Sequence, residues 1–79
     1  MDVEVLLPQW GMGMTEGTVV EWLHAEGEEV REGEPLVEID TAKAVRAVDV
    51  PASGVLTRVI AHPGDVVPVR GLLGVIRAA

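Results

Sequence analysis

Glycine and proline divide this chain into short apolar segments, and this division limits the folds that it can adopt. Nine glycines and five prolines are spread over 79 residues. The apolar segments between them are five to eight residues long and rich in Val and Ile: Val3–Leu7, Thr18–Leu23, Pro35–Ile39, Ala44–Val50, Gly54–Ala61 and Leu72–Ile76. Short segments of β-branched residues bounded by turn residues predict strands.

One window, Leu36–Val50, contains neither glycine nor proline and is long enough for a helix. Five of its fifteen residues are Val or Ile, which lowers the helix propensity without excluding a helix. The window therefore predicts either one helix or two strands joined by a tight turn near Thr41–Lys43.

An internal repeat favours the hairpin. A shift of 37 residues aligns Gly17 with Gly54, Gly27 with Gly64, Val30 with Val67, Leu36 with Leu73 and Ile39 with Ile76. The repeat predicts a unit of strand, glycine-acidic turn, short strand and strand, used twice. Two such units related by a pseudo-two-fold axis form an all-β flattened barrel or sandwich without long exposed sheet edges. A helix in the window would break this symmetry.

Composition and charge argue against several classes of function. The chain has no cysteine, which excludes a disulfide and a thiolate metal site. Residues 1–40 contain eleven acids and one Arg, a net charge of −10, whereas residues 41–79 contain two acids and five bases, a net charge of +3. This acidic surface either keeps the domain soluble or steers it to a basic partner. No basic cluster is available for nucleic acid.

The longest uncharged run, residues 5–15, is too short to cross a membrane, and the first residues do not resemble a signal peptide. We therefore expect one soluble, cytoplasmic, monomeric domain over residues 1–79 with neither a membrane nor a nucleic-acid partner.

Lys43 is the only lysine, and five arginines provide the other cationic side chains. It lies in the sequence Asp40-Thr41-Ala42-Lys43-Ala44, with a small residue on each side. At a hairpin tip such a lysine points outward, where an enzyme that supplies an activated acid can acylate it. A single lysine left by chance in an arginine-preferring sequence is the alternative explanation.

Seven segments over nearly the whole chain form a series: Leu7–Gly11, Met14–Leu23, Glu26–Val30, Gly33–Leu36, Asp40–Ala44, Val50–Leu56 and Gly64–Val67. In this order they resemble the lipoyl domains of 2-oxo acid dehydrogenase complexes, within the biotinyl/lipoyl-attachment superfamily. The resemblance implies two four-stranded sheets with pseudo-two-fold symmetry, an attachment lysine at one hairpin tip and both termini at the far end.

The resemblance also implies which residues form the site. Lipoic acid would be joined as an amide to Lys43, in a hairpin formed by Asp40, Thr41, Ala42 and Ala44. Many members have Asp at the position of Ala42, whereas Asp40 is the acid that is usual three residues before the lysine. The loop beside the hairpin would contact the decarboxylase through Gln9, Trp10, Met12, Met14 and Thr15. Packing of this loop on its own barrel is an equal alternative.

The function that follows from the resemblance is a swinging-arm carrier without a catalytic group or metal site of its own. As part of a bacterial dihydrolipoamide acyltransferase (E2), it would carry acyl groups and reducing equivalents. Its partners would be the thiamine-diphosphate decarboxylase (E1), the catalytic core of E2, dihydrolipoamide dehydrogenase (E3) and a lipoylating enzyme. The Thr-Ala-Lys-Ala pattern resembles the branched-chain complex, and residues 77–79 resemble the start of a linker.

Other functions stay open on the sequence. A biotinyl carrier usually has its lysine between two methionines, and the carrier of the glycine-cleavage system is normally longer. An unmodified binding adaptor would leave Lys43 free. An enzyme is disfavoured, because the chain has no Cys and only one Ser, Ser53, which has no His near it in the sequence. His24 and His62 lack a clear third ligand for a metal.

Overall fold

Eight strands and no helix make up the computed structural model, which describes residues 1–79. The strands are β1 (Asp2–Leu6), β2 (Glu16–Trp22), β3 (Glu29–Val30), β4 (Pro35–Asp40), β5 (Val45–Asp49), β6 (Gly54–Val59), β7 (Val66–Pro68) and β8 (Leu72–Ala78). Each of the six apolar segments forms a strand, with ends within two residues of the predicted ones. The strands β4 and β5 confirm the hairpin in the window Leu36–Val50.

The strands form two four-stranded antiparallel sheets, with the orders β1-β8-β6-β3 and β5-β4-β2-β7. Each strand of the first sheet stands at the same place as the strand of the second sheet that is four strands away along the chain: β1 matches β5, β8 matches β4, β6 matches β2 and β3 matches β7. The predicted all-β sandwich with pseudo-two-fold symmetry is therefore confirmed.

The hydrogen bonds of the two halves show the same symmetry. The N–H of Gly27 donates to the carbonyl of Leu56 at 2.7 Å, and the N–H of Gly64 donates to the carbonyl of Val19 at 2.8 Å. The two turn glycines have φ values of 93° and 94°, a left-handed conformation that glycine adopts without steric cost. Both halves thus contain the same type of turn, and in each the turn glycine donates a hydrogen bond to the other half.

The acid that follows each of these glycines caps its own turn. The carboxylate of Glu28 accepts a hydrogen bond from the N–H of Ala25. The carboxylate of Asp65 accepts one from the N–H of His62 at 2.8 Å. A side-chain acceptor in this position satisfies a backbone donor that the turn leaves free, which explains why the acids follow the repeat.

The core between the sheets is almost entirely aliphatic. Fourteen apolar residues are buried, and no polar residue is: Val5, Leu7, Val19, Val30, Leu36, Val37, Ile39, Val48, Val50, Leu56, Ala61, Val67, Leu73 and Ile76. The repeat pairs Leu36/Leu73 and Ile39/Ile76 are all fully buried. Both halves therefore supply the same residues to one shared core, as a chain of this size requires.

One insertion breaks the symmetry. Leu7-Pro8 corresponds to Val50-Pro51 by a shift of 43 residues, whereas the later strands correspond by a shift of 37. The chain from Leu7 to Gly17 is therefore six residues longer than the chain from Val50 to Gly54, and we assign the additional residues to Trp10–Thr15. We call this insertion the Trp10–Thr15 loop.

Candidate functional site

The β4–β5 hairpin presents Lys43 at its tip. The N–H of Thr41 donates to the carbonyl of Ala44 at 2.9 Å and closes the turn. The hydroxyl of Thr41 donates to the same carbonyl at 2.9 Å and accepts from the N–H groups of Lys43 and Ala44, at 3.3 Å each. Such local hydroxyl bonds replace backbone bonds that a tight turn cannot make. Thr41 thus fixes the backbone that bears the lysine.

The side chain of Lys43 is exposed and has no ion-pair partner. Its neighbours Ala42 and Ala44 are exposed as well, and neither extends beyond a methyl group. A modifying enzyme can therefore approach the amine from several directions.

The base of the hairpin is anchored in the core, in contrast to its tip. Ile39 on β4 is completely buried, and Val48 on β5 is 6% exposed. These two side chains tie the two strands to the opposite sheet, so that the exposed tip projects from a rigid support.

The Trp10–Thr15 loop packs beside this hairpin and folds back on itself. The N–H of Trp10 lies 3.5 Å from Sδ of Met14, and the N–H of Met14 donates to the carbonyl of Gly11 at 3.2 Å. Met14 also packs against the core, whereas Met12 is 98% exposed. The two methionines that the sequence grouped together therefore have different surroundings, and Met12 is the one free for a partner.

Arg46 joins the loop to the hairpin. Its guanidinium carbon lies 4.7 Å from the centre of the Trp10 ring, which is the geometry of a cation–π interaction. Arg46 was not among the site residues predicted from the sequence. No local pattern pairs these two residues, which are 36 positions apart.

Between the loop and the hairpin lies a cleft of about 310 Å³. Its walls are the loop residues 10–14 on one side and residues 41–44 with Arg46 on the other. Of the sequence-predicted site residues, the cleft brings together those of the loop and those of the hairpin: Trp10, Met12, Met14, Thr41, Ala42, Lys43 and Ala44. Gln9, Thr15 and Asp40 lie outside its lining and are exposed. No carboxylate lines the cleft.

The other residues named as possible reactive groups lie elsewhere. Ser53 Oγ accepts a hydrogen bond from the N–H of Glu32 at 2.9 Å, which is a structural role. His24 lies 3.8 Å from Glu28 and 3.9 Å from Glu34, whereas His62 is exposed at its turn. No group of three or more side chains is placed to bind a metal ion, and no helix is able to cross a membrane.

Comparison with known proteins gives consistent matches. A family model described as "Biotin-requiring enzyme" matches residues 3–76. The acetyltransferase component (dihydrolipoyllysine-residue) of the acetoin cleaving system of Cupriavidus necator is 44% identical over 98% of this chain. The corresponding component of the pyruvate dehydrogenase complex of Mycobacterium bovis is 47% identical over 95% of this chain.

Two solved structures share the fold. The lipoyl domain of the 2-oxoglutarate dehydrogenase complex from Azotobacter vinelandii has a TM-score of 0.73 and 31% identity, covering 100% of this chain and 99% of that one. A single-chain long-chain acyl-CoA carboxylase has a TM-score of 0.83 and 26% identity, covering 99% of this chain but 7% of that one.

The relatives are much longer than this chain. It spans 21% of the Cupriavidus protein and 14% of the Mycobacterium protein.

Proposed function

This chain belongs to the biotinyl/lipoyl-attachment family, and we propose that it is a lipoyl carrier domain whose attachment residue is Lys43. The position of Lys43 carries the proposal. It is the only side-chain amine in the chain, and it lies exposed at the tip of a hairpin whose base is buried. A carrier needs its reactive arm accessible to partner enzymes and on a rigid support.

The site fits a lipoyl group. Amide attachment requires an accessible primary amine with little steric hindrance, and Lys43 is exposed between two alanines without an ion-pair partner. Biotin is the second candidate, because the family description includes it. The alanines on both sides and the dihydrolipoyllysine relatives favour lipoic acid.

The residues of the chain act on the attachment step by position alone. Thr41 fixes the turn, so that Nζ of Lys43 faces the modifying enzyme. The modifying enzyme joins lipoate to ATP as lipoyl-AMP with release of pyrophosphate. The deprotonated amine of Lys43 then attacks the acyl carbon, AMP leaves, and the amide forms with loss of one proton. The attached dithiolane supplies an acceptor for one acyl group and two electrons. Lys43 loses its charge, and no residue of the domain takes part in the later chemistry.

The tether explains why such a domain is useful. An intermediate that stays bonded to Lys43 meets each active site at the effective concentration of a linked ligand, in the millimolar range for short flexible linkers. The anchored hairpin keeps the lysine projecting from the barrel during these encounters.

We further propose that the domain belongs to a longer acyltransferase of a bacterial 2-oxo acid dehydrogenase complex. Its length relative to the relatives supports this. The decarboxylase, the acyltransferase core, the dihydrolipoamide dehydrogenase and a lipoylating enzyme are then its partners. The relatives and the lipoyl-domain structure named above belong to acetoin, pyruvate and 2-oxoglutarate systems. A branched-chain substrate rests only on the Thr-Ala-Lys-Ala pattern. Arg77 and Ala78, which the sequence assigned to the start of a linker, are paired residues of β8.

The experiment offers the lipoylated domain to the decarboxylases of the pyruvate, 2-oxoglutarate and branched-chain complexes, each with its own 2-oxo acid. Intact mass reports the acyl increment on the domain, and the Lys43→Arg variant is the control. We expect acylation by at least one decarboxylase. If none acylates the domain while an established lipoyl domain is acylated in parallel, the carrier role is wrong.

A further inference from the structure

We propose that the cleft between the Trp10–Thr15 loop and the lysine hairpin is a docking site for the lipoyl arm that Lys43 itself carries. The inference rests on the proposed function and deepens it: the arm does not only swing freely but also has a resting position on its own domain. Lys43 is part of the cleft wall, so the tether begins at the site that we assign to the arm.

The cleft has the chemical character that a lipoyl arm requires. Trp10, Met12 and Met14 line it, and none of its lining residues is a carboxylate, although the chain contains thirteen acids. Thioether and indole groups are polarisable and pack well against sulfur and hydrocarbon. The volume of about 310 Å³ exceeds what one side chain fills. A neutral sulfur-containing chain therefore suits this space better than a cation does.

Lipoylation of Lys43 makes the cleft more apolar. Before modification, two cations line it, Lys43 and Arg46. Amide formation removes the charge of Lys43, and Arg46 is already stacked on Trp10. The remaining surface favours an apolar arm only after that arm has been attached.

The walls of the cleft are held in place independently of the arm. The Trp10 stack with Arg46 fixes one side of the loop to β5, and Met14 packs its other side on the core. The loop is also the one insertion that has no counterpart in the other half of the repeat. The other half therefore has no equivalent cleft wall.

A weak contact is sufficient for docking, because the arm is tethered. With an effective concentration of about 1 mM for a short linker, a cleft that binds the free arm with a Kd of about 1 mM is occupied about half of the time. The arm is then released readily to a partner enzyme.

The two tryptophans make the test selective. In a ¹⁵N-tryptophan sample only Trp10 and Trp22 give indole N–H signals. Trp22 donates its indole N–H to the carbonyl of Ala61 at 2.7 Å and serves as the internal reference. We compare the unmodified chain, the chain with acetyl-lysine at position 43, and the lipoylated chain. The acetyl form is the matched control, since it removes the same charge without adding an arm.

We expect a shift of the Trp10 indole signal in the lipoylated chain beyond that in the acetyl form. We also expect nuclear Overhauser effects between the Trp10 ring and the methylene protons of the arm, with Trp22 unchanged. Equal Trp10 signals in the acetyl and lipoyl forms, without such effects, would overturn the docking site.

A second variant separates this failure from failure of the proposed function. Intact mass is measured first. If it shows no lipoylation, the result counts against the proposed function, and no NMR spectrum of the lipoyl arm is recorded. The cleft is then tested with Lys43→Cys, the only thiol in the chain, alkylated with N-octyl or N-methyl iodoacetamide. Contacts of the octyl chain with Trp10 support the docking site, and their absence overturns it.

Discussion

Gly33 and Arg70 occupy equivalent positions in the two halves of the domain, and both have a positive φ, 91° and 70°. The N–H of Gly33 donates to the carbonyl of Val50 at 2.9 Å, and the N–H of Arg70 donates to the carbonyl of Leu7 at 2.7 Å. The same turn is thus built twice, but only the first copy has the residue that adopts this conformation freely.

The substitution Arg70→Gly is expected to stabilise the domain by about 0.5–1 kcal/mol. A non-glycine residue in the left-handed region costs roughly 1–2 kcal/mol, and the greater freedom of glycine in the unfolded chain offsets part of this gain. Arg70 is exposed and has no ion-pair partner. Urea unfolding measures the change, with Gly33→Ala as the reverse substitution, expected to be destabilising. A lower midpoint for Arg70→Gly would contradict the strain.

Gly54→Ala is expected to destabilise the domain by about 2–3 kcal/mol, because extra volume in a packed region forces the backbone to move. A Cβ at Gly54 would overlap the backbone carbonyl of Arg77 on β8. Gly11→Ala is the matched control: no atom lies within 4 Å of its added Cβ. We expect this control to change the stability by less than about 0.5 kcal/mol. Thermal unfolding compares the two, and equal midpoints would show that β6 and β8 have room to separate.

Thr41→Val is expected to slow lipoylation, whereas Thr41→Ser is expected to keep the rate near that of the native chain. Valine preserves the shape but loses the three hydroxyl contacts that fix the turn. Lost side-chain bonds of this kind cost about 0.5–1.5 kcal/mol each, and Thr41 lies outside the buried core, so we expect the fold to persist while the lysine is positioned less well. Ligase kinetics on both variants give kcat/KM. A Thr41→Val rate equal to the native one would assign the turn geometry to the backbone alone.

Met12→Ser is expected to reduce acylation by the decarboxylase roughly fivefold, the effect of losing about 1 kcal/mol at an interface. Its 98% exposure leaves the fold unaffected, so ligation of lipoate should proceed at the native rate. Steady-state acylation of both lipoylated proteins measures the ratio. An unchanged kcat/KM for acylation would place the decarboxylase contact outside the loop tip.

The fold was largely predictable because its turns are chemically specified. Gly27 and Gly64 stand where φ is positive, and an acid caps each turn. These local requirements made the repeat visible, and the repeat decided between helix and hairpin in the window that contains Lys43. The prominence of Lys43 followed from its being the only lysine.

The cleft was not predictable in the same way. The Trp10–Thr15 loop has no counterpart in the repeat, so no symmetry argument constrains how it folds. The stacking of Arg46 on Trp10 and the separation of Met12 from Met14 depend on how this insertion returns to the barrel. These features are tertiary, and neither periodicity nor spacing encodes them.

The central claim is that Lys43 is the residue that receives lipoate. Intact mass after incubation with lipoate, ATP and a lipoate–protein ligase tests it directly, beside Lys43→Arg. Apart from this lysine, the N-terminus is the only other amine. We predict one lipoyl increment on the native chain and none on the variant. An increment on the variant, or none on a folded native chain with an active ligase, would contradict it.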